Sequence, residues 1–104
     1  MGLSVAMCTY NGSKFIKDQL NSIIEQSRKI DEIIICDDCS TDDTVAIINE
    51  YIEKYPDLIQ LIQNKVNLRS TKNFENAILN CTGDYIFFAD QDDIWDFFKV
   101  EKII

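Results

Sequence analysis

The sequence predicts an α/β fold in which a parallel sheet carries helices on its faces. Two observations support this class. Short apolar, β-branched runs alternate along the 104 residues with segments whose apolar residues recur at helical spacing. Polar residues follow each apolar run, as expected where parallel strands end. The resulting order is βαβαβαβ followed by a further helix, and such alternation calls for a parallel sheet in one domain spanning residues 1–104.

The first strand and helix have clear patterns. The run Leu3–Thr9 is apolar without a helical period, which predicts a buried strand. Residues 13–27 are predicted to be helical because their apolar side chains share one face. These side chains are Ile16, Leu20, Ile23 and Ile24.

A second strand and helix follow. Residues 33–37 form a β-branched run that predicts a strand. Ser40 or Thr41 is then expected to cap a helix whose first turn contains Asp42 and Asp43. Its apolar stripe consists of Val45, Ile48, Tyr51 and Ile52, and Pro56 lies just beyond its end.

The remaining segments repeat the alternation. Residues 58–62 predict a third strand, and Ser70 or Thr71 is expected to cap a third helix that Gly83 ends. The stripe of this helix is Phe74, Ala77, Ile78 and Cys81. The run Tyr85–Ala89 predicts a fourth strand, and residues 97–104 predict the start of another helix.

The net charge and the lack of histidine exclude several classes of function. The formal net charge is −8 and the chain has no histidine. An acidic surface disfavours nucleic acid and anionic lipid as partners, and the lack of histidine rules out a Ser-His-Asp site within these residues. Half of the acidic residues fall in two clusters. They are Asp37, Asp38, Asp42 and Asp43, then Asp84, Asp90, Asp92, Asp93 and Asp96.

The four cysteines are expected to be reduced thiols. No signal peptide is visible ahead of the first strand, so the cytoplasm is the expected location. Cys36 and Cys39 form a C-x-x-C pair, but Asp37 and Asp38 lie between them. Their negative charge would raise a thiol pKa, which disfavours a redox or zinc role.

The ends of the strands carry carboxylates rather than a glycine-rich phosphate loop. Neither G-x-G-x-x-G nor G-x-x-x-x-G-K-[ST] occurs. Asp90 and Asp92 follow the fourth strand two residues apart and offer hard oxygen ligands, which suit Mg²⁺ or Mn²⁺. A cation there would bridge to a diphosphate.

Three segments together resemble the N-terminal half of family 2 glycosyltransferases. They are residues 4–12, 32–42 and 83–95, and the similarity extends over nearly the whole chain. The resemblance implies the N-terminal part of a three-layer, Rossmann-like GT-A fold. It also implies a nucleotide-diphosphate sugar as donor and Mg²⁺ or Mn²⁺ as cofactor.

The resemblance also implies roles for individual residues. Thr9, Tyr10 and Asn11 match the loop that lies against the base and ribose, although Tyr10 also suits a packing role. Asp38 matches the acid that accepts a hydrogen bond from uracil, which favours a UDP or dTDP sugar. Asp37 is the alternative structural acid, capping the loop at Ser40 and Thr41.

The remaining matches are to the diphosphate and metal. Arg69 matches a basic residue near the base or diphosphate, and a solvated surface arginine is the alternative. Asp92 is expected to bind the metal directly, with Asp90 facing the ribose or sugar and contributing to the metal site. Trp95 suits either the donor site or the core.

The chain is therefore expected to be the donor-binding part of a truncated glycosyltransferase domain. Members of this family take the carboxylate base from a later segment, so we assign no catalytic residue and expect the base beyond Ile104. The resemblance points to transfer with inversion, onto a glycan or lipid-linked acceptor, in bacterial surface polysaccharide synthesis. The complete protein is expected to associate peripherally with the inner membrane face.

Two other classes remain open from the residues alone. A receiver-like phosphotransfer domain also places acids at strand ends, but it needs a pair of acids where Thr9, Tyr10 and Asn11 stand. A non-catalytic α/β interaction module would keep the fold without a working site. A partial fold would expose apolar surface, and we therefore expect self-association, for example as a homodimer.

Overall fold

The computed structural model describes residues 2–90 and 93–104, and it confirms the predicted α/β class. The elements are β1 Leu3–Thr9, α1 Ile16–Ile24, β2 Glu32–Asp37, α2 Thr44–Lys54, β3 Ile59–Gln63, α3 Arg69–Leu79, β4 Tyr85–Ala89 and α4 Lys99–Ile103. All strand pairings are parallel, in the order β3-β2-β1-β4. No helix in this part of the chain is long and apolar enough to cross a membrane.

The helices cover both faces of the sheet and make three layers. Alternate residues of β1 point to opposite faces. Leu3, Val5 and Met7 pack in the larger core with side chains from α1, α2 and α4. Ala6 packs on the other face with Ala77 of α3.

Burial explains why the first strand lacks a polar alternation. All seven residues of β1 are buried, because the strand has a neighbour on each side and helices above and below. The outer strands β3 and β4 are only partly buried. A central parallel strand is therefore apolar on both faces, whereas an edge strand is not.

The start of α2 differs from the prediction. The helix begins at Thr44 rather than after Ser40 or Thr41. Ser40 instead bonds Asp37, while Asp42 Oδ1 accepts from the backbone N–H of Thr44 at 3.0 Å. The loop between β2 and α2 is longer than expected because its polar side chains form hydrogen bonds with neighbouring loop residues instead of starting the helix.

The bounds of α3 also correct the prediction. The helix begins at Arg69, ahead of the expected caps Ser70 and Thr71, and it ends at Leu79, before Gly83. At its start the Leu68 and Arg69 N–H groups donate to the carboxylate of Asp38, which lies about 30 residues earlier in the chain. Gly83 packs closely against Ser4 and Gly2 instead of ending the helix.

Candidate functional site

A cavity of about 280 Å³ opens at the carboxyl ends of β1 and β4. The chain runs from β1 outward to β2 and β3, and β4 then returns to the other side of β1. Open α/β sheets bind ligands at such a reversal of strand order. The lining residues are Cys8, Thr9, Tyr10, Asp38, Asn67, Arg69, Ser70, Asn73, Phe74 and Asp90.

Five of the residues expected to contact the donor line this cavity: Thr9, Tyr10, Asp38, Arg69 and Asp90. The sixth, Asn11, does not. It has a left-handed backbone, with φ 48°, and its Oδ1 accepts a hydrogen bond from the Thr41 N–H at 2.7 Å. Asn11 therefore connects the loops after β1 and β2.

Thr9, in the cavity wall, forms a buried hydrogen-bonded pair with Asp37. Thr9 Oγ1 donates to Asp37 Oδ1 at 2.6 Å, and the Ser40 N–H donates to Asp37 Oδ2 at 2.9 Å. Asp37 thus caps the loop at Ser40, as the sequence suggested, whereas Thr41 bonds Asn11. The end of β1 is held in a fixed position against β2.

Asp38 is the most highly coordinated acid of the cavity. Its Oδ1 accepts from the Leu68 N–H at 2.7 Å and from Asn64 Nδ2 at 3.0 Å, and its Oδ2 accepts from the Arg69 N–H at 2.9 Å. Burial acts to raise the pKa of Asp38, but these three hydrogen bonds outweigh it and hold the pKa below its usual value. Asp38 is therefore an anion at neutral pH.

Arg69 lies at the rim of the cavity and has a left-handed backbone. Its φ is 66°, a region that non-glycine residues rarely adopt. The Arg69 N–H donates to Asp38 and also to Asn67 Oδ1 at 3.0 Å, and these bonds stabilise the turn. A strained backbone conformation of this kind persists only where the surrounding contacts hold it in place.

Asp90 closes the opposite side of the cavity. It is exposed, and its backbone carbonyl accepts a hydrogen bond from the buried Gln19 side chain of α1. Asp92, the other predicted metal ligand, lies outside the described residues. Within residues 2–90 and 93–104, no group of three or more His, Cys, Asp or Glu side chains is arranged to hold a metal ion.

The acids give the cavity a negative potential. Burial, followed by the charges of Cys36, Asp90 and Asp38, raises the pKa of Cys8 to about 12. Cys8 is consequently a neutral thiol in the cavity wall. A diphosphate bound beside these acids needs a compensating cation, and Arg69 supplies one positive charge at the rim.

Five lining residues were not among the predicted donor contacts: Cys8, Asn67, Ser70, Asn73 and Phe74. Phe74, predicted in the apolar stripe of α3, packs edge-to-face with Phe88, with ring centroids 6.1 Å apart. Among these residues, only Cys8 could have been predicted to line the cavity, because it directly precedes Thr9 in the sequence. Trp95 is a core residue, 4% exposed and packed against Phe87.

The C-x-x-C pair does not present two thiols to solvent. Cys36 is buried in β2, and burial followed by the charge of Cys81 raises its pKa to about 11. Cys39 is half-buried, and its Sγ donates to the Asn64 carbonyl at 3.3 Å. The surroundings of both cysteines therefore fit a structural role and not a redox or zinc site.

The family model for glycosyl transferase family 2 matches residues 4–104. The dTDP-rhamnosyl transferase RfbG of Shigella flexneri is 41% identical over 102 residues, which cover 94% of this chain and 35% of RfbG. The chain spans about a third of the length of the curated relatives that it matches.

Solved structures agree with this assignment. TarS 1–349 of S. aureus, crystallised in complex with UDP, matches with a TM-score of 0.86 and 30% identity, covering 99% of this chain and 31% of the 1–349 chain. The same protein has also been crystallised with UDP-GlcNAc. The mannosyltransferase PcManGT of Pyrobaculum calidifontis, in complex with GDP-Man and Mn²⁺, matches with a TM-score of 0.82 and 27% identity, covering 89% of this chain and 28% of that one.

The likeness therefore extends from the sequence motifs to the three-dimensional arrangement of the strands. The strand order, the cavity at the reversal and the matched segments all occur together in one chain. The chain belongs to glycosyl transferase family 2.

Proposed function

We propose that the chain binds the nucleotide-sugar donor of a glycosyltransferase that transfers a sugar, with inversion, to a glycan or lipid-linked acceptor. The observation that carries this proposal is that five residues predicted as donor contacts, from separate segments of the sequence, line one cavity. The relatives crystallised with UDP, UDP-GlcNAc and GDP-Man support a nucleotide-diphosphate sugar as the ligand class. Bacterial surface polysaccharide synthesis in the cytoplasm, at the inner membrane face, is the proposed setting.

The hydrogen bonds of Asp38 favour a base with a single donor. The described residues occupy both acceptor positions of Oδ1 but only one of Oδ2. Uracil and thymine offer one imide N–H, whereas guanine presents two adjacent donors and cytosine has an acceptor at N3. We therefore propose a UDP or dTDP sugar, and the rhamnosyl transferase relative is consistent with dTDP.

We also propose that Asp90 and Asp92 hold Mg²⁺ or Mn²⁺ together with the diphosphate. The exposed carboxylate of Asp90 at the cavity fits a hard cation, and the surrounding acids would otherwise repel the phosphates. When bound, the cation would offset the charge of the leaving diphosphate. The mannosyltransferase structure with Mn²⁺ supports this assignment.

Calorimetric titration with UDP, CDP and GDP tests the proposal. We expect UDP to bind in the presence of Mn²⁺, and more tightly than the other two nucleotides. Asp38→Asn should weaken UDP binding about tenfold or more and reduce the preference over CDP, because a charge-assisted hydrogen bond contributes about 1.5–3 kcal/mol. Asp43→Asn, which changes an exposed aspartate outside the cavity, is the control.

Two results would contradict the proposal. Absence of binding to all three nucleotides, with and without Mn²⁺, would contradict a donor site. Equal affinity for UDP and CDP in the unsubstituted protein would contradict the role of Asp38 as a base contact.

We further propose that the chain forms a homodimer through the exposed edge strand β4. Tyr85, Ile86 and Phe88 are 51%, 36% and 58% exposed along this strand. A neighbouring cavity of about 780 Å³ is lined by β4, Lys99, Ile103 and Ile104. Exposed apolar edge strands pair readily with other chains.

A further inference from the structure

Two asparagines connect Asp38 to the interior of the fold. Asn64 Nδ2 donates to Asp38 Oδ1 at 3.0 Å and to Asn73 Oδ1 at 2.6 Å. Asn73 Nδ2 in turn donates to the carbonyl oxygen of Cys36 at 2.9 Å. The acceptors at both ends fix the orientation of each amide, because a carboxylate and a carbonyl can only accept.

The network is rigid and largely sheltered from water. Asn73 is 2% exposed and Asp38 is 5% exposed, whereas Asn64 is partly buried. The Asn64 backbone is also fixed, since its N–H donates to the carbonyl oxygen of Asp37 at 2.9 Å and its carbonyl accepts from Cys39 Sγ. Two buried amide side chains are tolerated only when their donors and acceptors are hydrogen-bonded, and such a network then fixes a single arrangement of the side chains.

That geometry has a direct effect on Asp38. Asn64 and the Leu68 N–H together occupy Oδ1, which prevents the carboxylate from rotating freely. The remaining acceptor position is therefore on Oδ2, the oxygen that also holds the Arg69 turn. Asn64 is the side chain that, with the two backbone N–H groups, sets the direction in which Asp38 accepts a further hydrogen bond.

We propose that Asn64, oriented by Asn73, is a positioning residue that aims Asp38 Oδ2 at the nucleotide base and so determines base selectivity. This inference rests on the proposed function. It extends the site by a residue that does not itself line the cavity. Asn64 acts on the ligand through the orientation of Asp38.

A merely structural role for Asn64 predicts a different result. Loosening the loop between β3 and α3 would weaken UDP and CDP binding by the same factor. If Asp38 Oδ2 no longer points at N3 of the base, the two nucleotides are affected unequally, because uracil has a donor at N3 and cytosine has an acceptor there. The ratio of the two affinities distinguishes the two roles.

The experiment is calorimetric titration of the protein and its Asn64→Ala variant with UDP and with CDP, in the presence of Mn²⁺. We expect the UDP-over-CDP ratio to fall about tenfold in the variant, the effect of losing one directed hydrogen bond. Asn80→Ala is the matched control, because Asn80 is exposed and its side chain donates to the Asn76 carbonyl on the far end of α3. Its ratio should equal that of the unsubstituted protein.

If Asn64→Ala does not fold, as judged by circular dichroism, Asn64→Leu serves in its place because it fills the space without donating. A UDP-over-CDP ratio that stays unchanged in a folded Asn64 variant overturns the inference alone. An unsubstituted protein that binds neither nucleotide, or both equally, overturns the base assignment under the proposed function as well. The two failures are thereby distinguishable.

Discussion

At the residue scale, Asp42 shows how one exposed carboxylate organises two loops. Its Oδ1 accepts from the Thr44 N–H at 3.0 Å and from Thr44 Oγ1 at 2.5 Å, and its Oδ2 accepts from the Ser13 N–H at 3.2 Å. The Thr44 hydroxyl is the largest of the causes that lower the pKa of Asp42 from 3.8 to about 2. Asp42 thus joins the start of α2 to the loop after β1.

This shift predicts a pH-dependent contribution to stability. Because the folded-state pKa is depressed, the contribution is fully present above pH 3.8 and is lost as the pH falls towards 2. Asp42→Asn should lower the free energy of unfolding at pH 7, and the difference from the unsubstituted protein should shrink below pH 4. Urea unfolding at pH 7, 4 and 3 measures it, with Asp43→Asn as control; a difference independent of pH would refute the charge effect.

The role of Asp37 could be predicted from the local sequence, whereas the contacts of Asp38 could not. The cap that Asp37 provides to Ser40 is local and follows from their spacing of three residues. The bonds from Asp38 to Leu68 and Arg69 cross about 30 residues of sequence, and no local pattern reveals them. They exist because parallel strands bring the loops after β2 and β3 to the same edge.

At the scale of elements, the turn before β4 depends on Gly83. The Gly83 N–H donates to Ser4 Oγ at 2.8 Å, and Ser4 Oγ donates to Glu32 Oε2 at 2.5 Å. A Cβ at position 83 would lie 2.5 Å from Ser4 Oγ and 2.9 Å from the Gly2 carbonyl oxygen. The turn therefore brings its backbone against β1 more closely than any side chain allows.

Gly83→Ala should consequently destabilise the protein by about 1–3 kcal/mol, the usual range for overpacking a tight contact. Chemical denaturation measures the change. Ser4→Ala should cost less stability in the Gly83→Ala background than in the unsubstituted protein, because it removes the nearer of the two clashing atoms. An alanine variant as stable as the unsubstituted protein would show that the turn can shift away from β1.

Secondary structure was predictable here because its signals are local. The apolar run Tyr85–Ala89 matches β4 without adjustment, and the stripe of 16, 20 and 23 lies within α1. Helix starts were predicted less well, since α3 begins at Arg69, whose N–H donates to a carboxylate distant in sequence. The strand order β3-β2-β1-β4, which creates the cavity, depends on packing between elements and not on any one segment.

At the scale of the whole molecule, the two edges of the sheet are unequal. β3 carries glutamines at 60 and 63, and both are exposed. β4 instead exposes Ile86 and Phe88 on the face that α3 covers, and Phe88 packs on Phe74 only at its edge. A net charge of −8 keeps molecules apart in general, yet these exposed β4 side chains are uncharged. Association is therefore expected at β4 and not at β3.

Sedimentation velocity over a range of concentrations tests this expectation. The unsubstituted chain should show a concentration-dependent dimer, and Ile86→Lys should remain monomeric because a lysine on an edge strand opposes pairing with a second copy. Leu79→Lys is the matched control, since Leu79 is 82% exposed at the end of α3 and is not part of an edge strand. Dimers that survive Ile86→Lys but disappear in Leu79→Lys would assign the contact to the end of α3. An unsubstituted chain that stays monomeric at the highest concentration would show that the exposed face of β4 is too small to hold two copies together against their like charge.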